Sequence, residues 1–65
     1  MARLGQAMKR ARLERGEKQK DLAARAGITA PYWSMMERGA CGVPSLRVLR
    51  SIGKALGTRW QMLLG

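Results

Sequence analysis

The sequence predicts an all-α fold, a compact bundle of five short helices, and three observations lead there. Apolar residues recur at three- and four-residue spacing between glycines, Thr or Ser stands at two of the helix starts, and no segment alternates apolar with polar residues as a half-buried strand does.

Leu4, Ala7, Met8 and Ala11 stand at i, i+3, i+4 and i+7, one face of a first helix that Gly16 ends as a left-handed cap. Lys9, Arg10 and Arg15 fall on its other side. A second helix runs from about Gln19 to Ala26, with Leu22, Ala23 and Ala26 on one stripe and Gly27 as its stop. Thr29 reads as the N-cap of a third helix, and Pro31 lies in its first turn, where a missing N–H is harmless. This helix ends at Gly39; Trp33 and Met36 share its inner face, and Tyr32 and Met35 go to its flanks and outer side.

Residues 39–44 are a connecting loop, and Ser45 caps a fourth helix closed by Gly57. Its inner face is Leu46, Leu49, Ile52, Gly53 and Leu56, with Arg47, Arg50 and Lys54 as a basic stripe opposite. After Thr58 a short fifth helix presents Trp60, Leu63 and Leu64 to the core. Met8, Met35, Met36 and Met62 read mostly as core filler in a chain that lacks Phe.

Composition narrows the function. Residues 1–65 have room for one small domain, whose core buries only about 60% of the surface the unfolded chain exposes. Cys41, the one cysteine, reads as a small loop residue, and with no His present no metal or other cofactor is expected. A reducing, cytoplasmic location follows from that cysteine usage. No apolar stretch reaches the roughly 18 residues of a membrane span, and the N-terminus lacks a signal peptide's apolar block, so the chain is expected to be soluble with no membrane partner.

Catalysis has no foothold in these residues. Glu14, Glu17, Asp21 and Glu37 are scattered, Ser34, Ser45 and Ser51 have no His to activate them, and the glycines form no phosphate-cradling loop. Thirteen Lys and Arg against four Asp and Glu give a net charge of +9, while 46% hydrophobic content is too high for a disordered basic tail. A strongly basic folded body implies a polyanion as partner.

The tightest spacing lies in the middle: an eight-residue helix, the short turn Gly27-Ile28-Thr29, then a helix beginning at Ala30. That is helix-turn-helix spacing. The run from Gln19-Lys20-Asp21-Leu22-Ala23-Ala24-Arg25-Ala26-Gly27-Ile28-Thr29 to Met36-Glu37-Arg38-Gly39 resembles the phage Cro and repressor, or xenobiotic-response-element, family of helix-turn-helix regulators. Pro44-Ser45-Leu46 through Ala55-Leu56-Gly57 is similar to the same family's fourth helix, so the resemblance extends from about Leu4 to Leu64.

The resemblance implies a sequence-specific double-stranded DNA-binding regulator, a repressor acting as a homodimer on a palindromic operator, with the helix at about 30–38 in the major groove. The positions that match base-reading sites are Ala30, Pro31, Ser34 and Met35. None of them can read guanine bidentately; Ala30 and Met35 suit a thymine methyl, and the Ser34 hydroxyl serves as donor or acceptor.

Phosphate contacts are implied at Gln19, Tyr32 and Arg38, and Lys18, Lys20, Thr29, Ser45 and Arg47 are further candidates around the same groove. Arg12 and Glu37 match the family's internal ion pair. Two departures stand out: Lys18 occupies an N-cap position where Ser or Thr is usual, and Glu17 replaces a commonly apolar residue. The apolar Ala30, Pro31 and Met35 surface also suits a second function class, a protein-binding antagonist or small regulatory subunit with a protein partner.

Overall fold

The computed structural model describes residues 2–64 and contains, among them, five helices: α1 (Ala2–Arg15), α2 (Gln19–Ala26), α3 (Ala30–Glu37), α4 (Leu46–Leu56) and α5 (Trp60–Leu63). Local chemistry sets most boundaries. Thr29 Oγ1 accepts the Tyr32 N–H at 3.2 Å and Ser45 Oγ accepts the Val48 N–H at 3.4 Å, so α3 and α4 begin at side-chain caps. Lys18 and Arg59 stand at the corresponding positions of α2 and α5 without a side-chain cap hydrogen bond. At the other end of α2, Gly27 takes φ 75°, and the N–H groups of Gly27 and Ile28 close back onto Ala24 and Ala23.

The core is built from Leu4 and Met8 of α1, Leu22, Ala23 and Ala26 of α2, Trp33 and Met36 of α3, Leu49, Ile52, Ala55 and Leu56 of α4, and Leu63 of α5. α2 packs against both α3 and α4, α1 lies against α3, α4 and α5, and α5 covers one end of α4. Two glycines are fixed by close backbone approach. A Cβ on Gly5 would collide with the Met36 and Glu37 carbonyl oxygens, and one on Gly53 would lie 2.9 Å from Thr58 O and Trp60 N.

Three expected core positions, Leu46, Leu64 and Met62, turn outward. Leu46 is 46% exposed because α5 packs on α4 at Gly53, two turns away, and does not reach the start of the helix. Leu64 is exposed because α5 is a single turn and Leu63 takes its inward position. Met62 is exposed because it is rotated about 100° from the inward Leu63, and Met35 takes the outer side of α3 that its spacing predicts. Trp60 is half-buried against the core, and Met8 and Met36 are fully inside.

Candidate nucleic-acid interface

α3 has two different faces. Trp33, Met36 and Glu37 point inward, whereas Pro31, Met35 and Arg38 are exposed and Ser34 is half-exposed. Of the four base-reading candidates, Pro31 and Met35 therefore face solvent, Ser34 sits on the flank, and Ala30 is half-buried against the core. Tyr32 is half-buried against the same core, and Arg38 turns back along its own helix, its Nε donating to Ser34 O at 3.4 Å.

The inward side of α3 is fixed by one carboxylate. Glu37 Oε2 accepts from Arg12 Nε at 2.7 Å and from the Trp33 indole Nε1 at 2.6 Å. Its Oε1 accepts from Arg12 Nη2 at 3.1 Å and from Gln19 Nε2 at 3.0 Å. Only 3% of the Glu37 side chain and 15% of the Arg12 side chain are exposed. Burial acts to raise the Glu37 pKa, but the hydrogen bonds from Arg12, Gln19 and Trp33 outweigh it and hold the carboxyl below its ordinary value. This joins α1, the first residue of α2 and the inner face of α3, so α3 is anchored at a defined rotation.

Two members of this cluster carry more than their sequence suggested. Gln19 directs its side-chain amide at Glu37, so one N–H is engaged inside the protein while the residue stays half-exposed at the start of α2. Trp33 fills the core and also supplies a buried donor. The signal for that was present in its four-residue spacing from Glu37, which puts both on one helix face.

Glu17 has a structural account as well. It accepts from Arg15 Nε at 2.8 Å and Arg25 Nη2 at 2.6 Å, and Arg25 Nη1 reaches on to Ala55 O at 3.0 Å. Hydrogen bonds from Arg25 and Arg15 lower the Glu17 pKa, and Glu17 in turn raises that of Arg25. An apolar residue is replaced here by a polar bracket across the α1–α2 turn and the end of α4.

These pairs sort the charge. Arg12 pairs with Glu37, Arg15 and Arg25 share Glu17, and no other ion pair occurs among the described residues, so ten of the thirteen cations stand outside these pairs. Lys18 and Lys20 are exposed beside Gln19 at the start of α2, Thr29 is exposed at the start of α3, Arg38 at its end, and Ser45 and Arg47 are exposed at the start of α4. The exposed strip of α3 thus carries no charge before Arg38, while cations stand at the starts of two other helices.

Residues 3–61 match the helix-turn-helix domain family. The N-terminal DNA binding domain of SinR from Bacillus subtilis is similar at 31% identity and a TM-score of 0.91, with 100% of this chain and 94% of that chain covered. SinR, described as the master regulator for biofilm formation, in its complex with DNA, is similar at 32% identity and a TM-score of 0.89, covering 95% and 98%. The restriction-modification controller protein C.AhdI from Aeromonas hydrophila shares 29% identity and a TM-score of 0.89 over 95% and 92%. No curated protein sequence matches the chain. With fifty-nine of its residues matched by the family and this degree of likeness to solved members, the chain belongs to the helix-turn-helix domain family.

Proposed function

We propose that this protein is a sequence-specific double-stranded DNA-binding transcription regulator that lays α3 in the major groove. The observation that carries the reading is the division of α3: its inner face is locked to α1 and α2 through Glu37, and its outer face presents Pro31, Ser34 and Met35 uncharged to solvent. In this reading Ala30, Pro31, Ser34 and Met35 meet base edges. Lys18, Gln19, Lys20, Thr29, Tyr32, Arg38, Ser45 and Arg47 meet phosphates on either side.

Base contacts of this kind are apolar and single-hydroxyl contacts, so affinity comes chiefly from the phosphates, and discrimination from thymine methyl groups and DNA shape. The protein acts as a repressor by occupancy, as a homodimer on a palindromic operator whose half-sites are about 34–36 Å apart. Its activity is binding without catalysis and its location is the cytoplasm, a reading supported by the regulators and DNA-binding domain among its structural relatives. No described helix is long and apolar enough to cross a membrane.

The test is a salt titration of binding to duplex DNA. The logarithm of affinity is expected to fall linearly with that of salt concentration, with a slope of about −0.9 for each phosphate neutralised. An affinity indifferent to salt contradicts the reading.

A further inference from the structure

No residue of α1 belongs to the proposed reading surface, yet its outer face is cationic and carries an exposed leucine. Arg3, Gln6, Lys9, Arg10, Leu13 and Glu14 all face solvent, and Leu13 is 59% exposed. Five of them, from Gln6 to Glu14, line a shallow groove, and a second groove continues it from Gln6 and Arg10 to Arg3. The first groove is mostly apolar in lining, because Leu13 lies among the methylene stems of long side chains whose charged heads reach water. No ion pair among the described residues engages Arg3, Lys9, Arg10 or Glu14.

Named contacts fix the direction of this face. Gly5 packs on the Met36 and Glu37 carbonyl oxygens and Arg12 bonds the Glu37 carboxylate, so these two residues mark the side of α1 that meets α3. Arg3 and Arg10 each stand two positions from one of them, about 160° round a helix that turns roughly 100° per residue. Met35 stands two positions from Glu37 by the same count, on the far side of α3. The cationic face of α1 and the reading strip therefore point away from each other, with the Arg12–Glu37 pair between them.

We propose that the outer face of α1 is a docking site for an acidic segment of a partner protein that carries an apolar anchor, and that it stays open while α3 holds a duplex. Charge selects the acid, since Arg3, Lys9 and Arg10 stand against the single carboxylate of Glu14. A second copy of this chain does not supply it: Glu17 and Glu37 are held in internal ion pairs, which leaves only Glu14 and Asp21, and two α1 faces set together oppose like charges. Leu13 selects a protein over a phosphate backbone, which has no apolar group to cover it, and one leucine is too little for a bilayer. Arg3 to Glu14 spans about 16 Å at roughly 1.5 Å per residue, the length of three turns of a partner helix. The inference goes beyond the DNA-binding reading and uses none of its residues.

The test uses two fluorescently labelled helical peptides, one with Leu along one face and Glu and Ala elsewhere, the other with Ser in place of each Leu. Anisotropy measures their binding to the protein alone and to the protein saturated with unlabelled duplex, and circular dichroism checks that each variant is folded. The leucine peptide is expected to bind both forms, and the serine peptide about tenfold more weakly. Leu13→Ser is expected to lower affinity for the leucine peptide about fivefold and to leave the serine peptide unaffected. Arg3→Gln/Arg10→Gln is expected to weaken both peptides about fivefold at low salt, with the difference vanishing at high salt. Both variants are expected to keep the parent's duplex affinity.

Equal binding of the two peptides, or indifference to Leu13→Ser, overturns the proposal, because the attraction is then one of charge alone. Displacement of the peptide by duplex overturns it, because the peptide then sits on the reading surface. A parallel fall in duplex affinity for the arginine variant overturns it, because those cations then serve the duplex, and so does a parent that binds neither peptide. A parent that binds the leucine peptide but no duplex upholds the docking site and contradicts the DNA-binding reading instead.

Discussion

The indole N–H of Trp33 donates to Glu37 Oε2 at 2.6 Å, one turn away on the same helix, so the largest core side chain and the buried carboxylate hold each other in place. Removing the carboxylate strands the Arg12 guanidinium and the Trp33 and Gln19 donors together. Glu37→Ala is expected to cost about 3–5 kcal/mol, the range for breaking a buried pair, and so to unfold much of a domain this small. Trp33→Phe keeps an aromatic six-membered ring but loses the donor and the pyrrole part of the buried indole, at about 1–3 kcal/mol. Urea denaturation followed by circular dichroism measures both, and equal costs for the two would contradict this ordering.

The same carboxylate sets an acid limb. Its folded pKa is depressed, so its contribution is fully present above the unfolded value of about 4.3 and is lost as pH falls through the folded one. Glu17 shifts in the same direction, with a smaller effect expected because it is solvent-accessible. Stability is thus expected to be flat from pH 7 to about 5 and to fall below about 4.3. A Glu37→Gln variant is expected to be less stable at neutral pH and to show a shallower acid limb, measured by melting temperature against pH.

Gly5 sets two effects against each other. Replacing a mid-helix glycine by alanine is worth about 1 kcal/mol in helix propensity. Here the added Cβ meets the Met36 and Glu37 carbonyl oxygens, backbone atoms that cannot swing aside, and such overpacking costs about 1–3 kcal/mol. Gly5→Ala is expected to lower the thermal midpoint; a rise would mean that α1 slides freely over the end of α3.

Lys18 separates stability from binding. As the uncapped start of α2 it costs about 1 kcal/mol relative to a Ser cap. Lys18→Ser is therefore expected to raise stability by up to that amount while weakening duplex binding for all sequences alike and reducing the salt slope by about 0.9. Unchanged binding by anisotropy would remove Lys18 from the phosphate contacts.

Much of the helix layout was readable in the sequence because local chemistry writes it: Thr29 and Ser45 cap their helices through their own hydroxyls, and Gly27 and Gly57 stop α2 and α4. What failed was local pattern applied at element ends. Leu46 lies on the apolar stripe of α4 but beyond the reach of α5, and Leu64 follows a helix of one turn with a single inward place. The contacts of Gln19 and Glu17 were not legible for a different reason. Gln19 meets an acceptor eighteen residues away, and Glu17 meets Arg25 eight residues away, so both depend on how helices pack and not on spacing within one.

The central claim is that the uncharged outer face of α3 reads sequence, and random-site selection with the parent and with Met35→Ala tests it most directly. The account predicts a palindromic motif for the parent, with half-sites about 34–36 Å apart, and a changed base preference at one position of each half-site for the variant. The absence of any enriched motif, or identical motifs from the two proteins, would contradict it.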